Sequence, residues 1–163
     1  MLNKKATGRL LGKLAQYSIS LDNSILDWEK SSALELYAKA KVNNLDAILI
    51  LSPIKKQTSD VYIRIFVYEK QSEVDDLHLT FDITTAENLQ SEILSFGSIK
   101  FPASRVRGVE KKALENDKYH ENVLVHTSSF DVLFDLFISN DEWDLKNTVI
   151  EDFLSIINSI KAN

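Results

Sequence analysis

The segment Phe130-Asp131-Val132-Leu133-Phe134-Asp135-Leu136-Phe137-Ile138 decides the fold, because its residues alternate in character with a period of two. Side chains of a strand point alternately to opposite faces of a sheet. One face of this segment is wholly apolar, and the other alternates acid with hydrocarbon. Residues 145–161 then repeat apolar residues with a helical period. We therefore expect a strand with one face covered by a C-terminal helix.

The rest of the chain contains further strand and helix patterns. Strands are predicted at 47–51, 61–68, 77–83, 101–109 and 122–126, and residues 111–121 are interpreted as a long, charged turn. Helices are predicted at 2–17, 32–41 and 84–94. The last two begin with the capping-box patterns Ser32-Ala33-Leu34-Glu35 and Thr84-Thr85-Ala86-Glu87. We predict an α+β fold: a mainly antiparallel β-sheet flanked by helices, with N-terminal helices and a long C-terminal helix.

The domain organisation follows from the continuity of these patterns, since no linker or repeat interrupts residues 1–163. We predict one α+β domain over 1–163. Residues 1–21 are basic and free of acids, with one apolar stripe. They are interpreted as a mobile amphipathic arm, which could lie on an anionic membrane or a partner, or as a helix that packs back on its own domain.

Composition and charge exclude several classes of protein. The chain has 163 residues and no cysteine, which excludes disulfides, thiolate zinc sites and cysteine nucleophiles. The net charge is −5, and acids outnumber bases in residues 113–163. Such a balance disfavours nucleic acid and suits a basic partner protein, although it also serves solubility alone. No apolar run is long enough to form a transmembrane segment, so we expect a cytoplasmic protein.

Acidic residues near the C-terminal end are the candidates for binding that partner. They are Asp131, Asp135, Asp141, Glu142 and Asp144. Two of them could also form a metal or acid–base site with His126, if the predicted hairpin brings it close to Asp131 and Asp135. The alternatives are structural: a solvated strand face for Asp131 and Asp135, and the start of a helix for the other three.

A basic stretch is the candidate for binding an anion. Arg105 and Arg107 should lie on one side of a strand and could clamp a phosphate or carboxylate, with Lys111 and Lys112 following them. An edge strand protected by cations against aggregation has the same pattern. Both interpretations stay open at this point.

The element order from Ala47 to Lys161 is similar to that of the PsbP-like α+β sandwiches. The likeness consists of a hairpin, a helix, several strands and a closing helix that ends Ile156-Ile157-Asn158-Ser159-Ile160-Lys161. Members of that group are mostly binding proteins, chaperones and assembly factors. The resemblance implies a shape and a binding role, and it carries over no site residue.

These observations give two hypotheses about function. The first is a non-enzymatic, soluble protein-binding module, such as an inhibitor or immunity-type protein or a secretion chaperone or adaptor, acting on a basic partner. The second is a metal-dependent or acid–base enzyme that uses the cluster of Asp131, Asp135 and His126. We expect no cofactor, no bound metal and no nucleic-acid partner under the first hypothesis.

Overall fold

The computed structural model describes residues 17–21, 23–30, 45–53, 61–69, 86–97, 100–110, 117–127, 130–139 and 145–162. The strands are β1 (Tyr17–Ser18), β2 (Trp28–Lys30), β3 (Leu45–Pro53), β4 (Val61–Glu69), β5 (Ala86–Phe96), β6 (Phe101–Glu110), β7 (Lys118–His126), β8 (Phe130–Ser139) and β9 (Lys161–Ala162). The helix α1 spans Lys146–Asn158.

The main sheet has seven antiparallel strands in the order β2-β3-β4-β8-β7-β6-β5. Strands β5 to β8 form a meander in which each strand pairs with the next along the chain. Strand β4 joins this meander by pairing with β8, where Arg64 lies opposite Asp135. Because opposite residues share a face, these registers fix which side chains meet.

One face of the sheet carries the larger core. Alternate residues of the central strands, Ile63, Phe134 and Val123, pack there against Phe153 and Ile156 of α1. All of these side chains are almost fully buried. The apolar alternation of residues 130–138 thus meets the helical stripe, as the sequence predicts.

The opposite face holds a smaller apolar cluster and most of the buried polar groups. Its hydrocarbon members are Ile50, Phe66, Leu124 and Leu133, with Tyr62 packed against them. The residues of β8 from Asp131 to Ser139 are buried on both faces. Asp131 and Asp135 therefore do not lie on a solvated face.

The N-terminal side of the described chain joins the core beside the end of the helix. Strands β1 and β9 pair with each other, with Tyr17 opposite Ala162. The backbone N–H of Ser20 donates to the Ser159 hydroxyl at 2.7 Å, and Ile19 and Leu21 are buried. Residues 1–16, most of the predicted arm, lie outside the described residues.

The predicted fold class, an α+β sheet flanked by helices, is wrong. The described residues contain one helix, α1, on one face of the sheet, and none precedes the sheet in 17–21 or 23–30. The helix predicted at 84–94 is instead strand β5. The helix predicted at 2–17 lies outside the described residues except for Tyr17, which belongs to β1. The predicted elements at 32–41 and 77–83 lie wholly outside them.

The physical reason for the error at β5 is that a capping box is a local signal. Long-range pairing overrides local preference when a strand completes a sheet. Here Glu92 lies opposite Arg105, Leu94 opposite Ala103 and Phe96 opposite Phe101. Residues 90–96 therefore use a period of two, which the Thr84-Thr85-Ala86-Glu87 pattern obscured.

Candidate functional site

The acidic residues predicted to bind a partner are divided between buried and undescribed positions. The Asp135 carboxylate is fully buried, where Arg64 Nε lies 2.5 Å from Oδ2 and Asn122 Nδ2 donates to Oδ1 at 3.0 Å. Asp131 is nearly as buried and lies 2.9 Å from His126 Nδ1. The other three, Asp141, Glu142 and Asp144, lie outside the described residues.

The predicted cluster of His126, Asp131 and Asp135 forms only in part. The β7–β8 hairpin does place His126 opposite Asp131. Asp135 lies further along the same face, where Arg64 and Asn122 hold both of its oxygens. Over the described ranges, no group of three potential metal ligands comes together.

Arg64 is the centre of a polar and aromatic layer that the sequence analysis missed. Its guanidinium lies 5.2 Å from the Tyr62 ring centroid and 5.3 Å from that of Phe66. The Tyr62 ring in turn stacks on Phe137, with centroids 4.8 Å apart. Burial raises the pKa of Tyr62, so this hydroxyl stays protonated. The layer supports the centre of the sheet.

His120 lies on the same face, at the edge of that layer. It makes an edge contact with Phe137, and its Nε2 is 3.7 Å from Glu110 Oε2. Burial lowers the pKa of His120, although the charges of Asp135 and Glu110 act in the opposite direction. The imidazole is therefore neutral at pH 7.

On the helix-side face, Arg105 is the centre of a second ion-pair network. Its Nε donates to Glu121, which is fully buried, and its Nη1 donates to Glu92 Oε1 at 2.8 Å. The Tyr119 hydroxyl donates to the second oxygen of Glu121, also at 2.8 Å. Burial, together with the Glu121 charge, raises the pKa of Tyr119. The network thus matches one buried acid with an arginine and a neutral phenol.

The pKa of Arg105 responds to two opposing effects. Burial by itself lowers it, and the hydrogen bond and charge of Glu121 more than offset that effect, so the net direction is upward. The guanidinium is charged at every relevant pH. It is therefore a permanent cation with a side chain only 9% exposed.

A cavity of about 320 Å³ opens beside this network. Its lining comes from β5 and β6: Gln90, Ser91, Glu92, Arg105 and Arg107. The buried Nη2 of Arg105 has no hydrogen-bond partner. Arg107 is half-buried and makes no ion pair or hydrogen bond with a described residue. Arg105 and Arg107 therefore share a face, as predicted, and line one cavity, while Lys111 and Lys112 lie outside the described residues.

Strand β5 is a second surface feature, and it forms one edge of the sheet. It pairs with β6 alone among the described strands. Ile93 is 88% exposed and Leu89 47% exposed, and among the described residues only Ile25 is a further exposed large apolar side chain. This surface was not predicted from the sequence, because the capping-box pattern at 84–87 indicated a helix over these residues.

Glu121 was missed for a different reason. The charge of residues 111–121 predicted a long turn there, whereas residues 118–121 belong to β7. Its one available signal was the alternation from Tyr119 through Glu121 and Val123 to Val125, all of which are buried on the helix side. That alternation identifies the face, and only the register identifies Arg105 as the partner.

Comparisons with known proteins give a fold likeness without a family. No protein-family model matches the chain, and no curated protein matches it. A solved structure that does match is cyanobacterial PsbP (CyanoP) from Synechocystis sp. PCC 6803, with a TM-score of 0.52 and 14% sequence identity. The match covers 91% of this chain and 87% of that one. A membrane-spanning helix is absent from the part of the chain that the structure describes. Because the likeness extends over 91% of its residues, the chain is similar in fold to this PsbP protein.

Proposed function

We propose that this chain is a non-enzymatic protein-binding module that receives an extended segment of a partner protein along β5. The observation that supports the proposal is the length and exposure of this edge strand, which has 11 residues. An edge strand presents backbone N–H and C=O groups that can pair with another strand, and several peptide-binding domains work in this way.

The composition of β5 is unusual for an edge that is meant to stay unpaired. Natural edge strands are commonly protected by charged side chains, above all lysine, by proline or by a bulge. Residues 86–96 contain no lysine, arginine or proline, and their charged residues are Glu87 and Glu92, of which Glu92 is paired with Arg105. The register shifts between Glu87 and Gln90, so a bulge interrupts one end, and the pairing from Gln90 to Phe96 is regular. Residues 90–96 therefore offer the better template for pairing with a strand of a partner protein.

The side chains of β5 indicate what kind of segment fits. Ile93 lies opposite Ser104, on the face away from the helix, and offers a large apolar contact. Glu87 is exposed near the other end of the strand, and the chain as a whole carries a net charge of −5. An extended segment with an apolar residue beside Ile93 and basic flanks would match this surface. Inhibitors of the immunity type and secretion chaperones or adaptors both belong to this class of module.

The proposal is tested with peptides selected from a displayed random library against the full chain. We expect binding peptides to be extended and basic, and to slow hydrogen exchange of the amides in β5. The substitution Ile93→Lys should weaken their binding by about tenfold or more, because an apolar side chain contributes roughly 1.5–3 kcal/mol when it is fully buried.

Ile25→Lys is the matched control, since Ile25 is 59% exposed and lies outside the main sheet. It should leave the affinity unchanged. If selected peptides bind without protecting β5, or if Ile93→Lys and Ile25→Lys act alike, the proposal is wrong. A concentration-dependent dimer that Ile93→Lys abolishes would also contradict it, because β5 would then receive a second copy of this chain.

A further inference from the structure

We propose that the cavity between β5 and β6 binds a small carboxylate through Arg105 and Arg107. This inference does not rest on the proposed function, since it concerns the helix-side face of these strands and not the outer edge of β5, which pairs with no other strand among the described residues. It begins from an unsatisfied donor. Arg105 Nη2 is buried without a hydrogen-bond partner, and such a group in a folded protein calls for an explanation.

The donors of Arg105 can be accounted for one by one. A guanidinium carries five N–H donors in a fixed plane. The Nε–H donates a hydrogen bond to Glu121, and Nη1 donates one to Glu92. The two N–H bonds of Nη2 are left over. Arg107, two residues along the same strand and on the same face, adds a second guanidinium that lines the cavity.

The charges around the cavity favour a singly charged ligand. Two arginines, Arg105 and Arg107, are balanced by two carboxylates, Glu92 and Glu121, and Tyr119 contributes a neutral hydroxyl. A doubly charged phosphate would add two negative charges to this balanced group, whereas a carboxylate adds one. A carboxylate also matches the planar guanidinium in the paired geometry that arginine favours. Monoanionic carboxylates are therefore the better class.

The size of the cavity sets the size of the acid. Its volume of about 320 Å³ lies at the lower end of the range for small-molecule pockets, roughly 300–1,000 Å³. The residues that line it are all polar or charged, with Gln90 and Ser91 beside Glu92 and the two arginines. A short, hydrophilic organic acid fits this description better than a fatty acid does.

The test is a titration of the isotope-labelled full chain with sodium acetate, at constant ionic strength maintained with sodium chloride, followed by nuclear magnetic resonance. We expect saturable shifts of the β5 and β6 amides and of the Arg107 Nε–H. The substitution Arg107→Gln should weaken acetate binding by about tenfold or more, because it removes a charge-assisted hydrogen bond. Arg107 is half-buried and without a described ion pair, so the variant should fold.

Lys100→Gln is the control, since it removes the same charge from an exposed position at the other end of β6. It should leave the acetate affinity unchanged. Shifts of the same size in a titration with sodium chloride alone would mean that the cavity takes any small anion and does not select a carboxylate, and the inference would fail. It would also fail if Arg107→Gln and Lys100→Gln acted alike, or if inorganic phosphate bound more tightly than acetate.

Discussion

Asp152 connects the helix to the segment that precedes the main sheet. Its carboxylate is fully buried and accepts three hydrogen bonds, from the backbone N–H groups of Ile25 and Leu26 at 2.6 and 2.9 Å and from Trp28 Nε1 at 3.0 Å. Trp28 is itself almost completely buried in the main core. One side chain on α1 therefore satisfies two partly buried backbone donors and the buried indole N–H of Trp28.

We predict that Asp152→Asn destabilises the protein by about 3 kcal/mol. The amide removes the negative charge and places an NH₂ group against donors that need an acceptor, and such losses are among the larger effects of single substitutions. Urea unfolding followed by tryptophan fluorescence measures the change. Glu151→Gln, at an exposed position on the same helix, is the control and should stay within about 0.5 kcal/mol of the parent. Equal effects of the two substitutions would contradict the role of Asp152.

The sequence identified some residues of the candidate sites and missed their partners. Arg105 and Arg107 were expected on one face, and a strand period is enough to establish that. Glu121 and Arg64 were not connected to their partners, because an ion pair across strands depends on which strands are neighbours and in what register. The acids of β8 were predicted to be solvated or functional, whereas the structure buries Asp135 against Arg64.

At the scale of elements, the turn between β5 and β6 depends on Gly97. This residue has a φ of 80°, in the left-handed region, and its N–H donates to Asn158 Oδ1 at 3.1 Å. A Cβ at this position would lie 2.5 Å from the carbonyl oxygen of Ile160. The turn is therefore packed directly on the backbone that follows α1, and this contact requires glycine.

We predict that Gly97→Ala destabilises the protein by at least about 2 kcal/mol, since a left-handed conformation alone costs an alanine roughly 1–2 kcal/mol and the contact with Ile160 adds to it. Urea unfolding provides the measurement. Ser95→Ala, exposed on β5 two residues earlier, should change the stability by less than about 0.5 kcal/mol. A Gly97→Ala variant as stable as Ser95→Ala would show that the turn can relax away from the helix.

The elements themselves were predictable to different degrees, for a physical reason. Strands β4 and β8 and the helix were found at nearly their observed bounds, because each has a clear period and meets the core on one face. Strand β5 was mistaken for a helix because only its contact with β6 determines its state. Local signals such as capping residues determine the secondary structure of a segment only where contacts with the rest of the fold do not.

At the scale of the whole molecule, the order of neighbouring strands in the sheet could not be predicted from the sequence. The hairpin of β7 and β8 could be predicted, since a short turn joins strands that alternate strongly. The placement of β4 beside β8 could not, because Val61 lies opposite Ile138 through a pairing between distant parts of the chain. That pairing creates the central ion pair and brings the two halves of the sheet together.

The same topology has a kinetic consequence. Strands β5 to β8 can pair one after another, because each is the neighbour of the next along the chain. Pairing β4 with β8 instead requires a long loop to close, and the entropy cost of that closure opposes folding before the contacts form. We expect the meander to acquire protection first and the β4 amides that donate to β8 to follow in the rate-limiting step, since the other side of β4 pairs with β3, which is near in the chain. Pulse-labelling hydrogen exchange during refolding measures this order. Simultaneous protection of the β6 amides and of the β4 amides that donate to β8 would show instead that the two halves of the sheet assemble in one cooperative event.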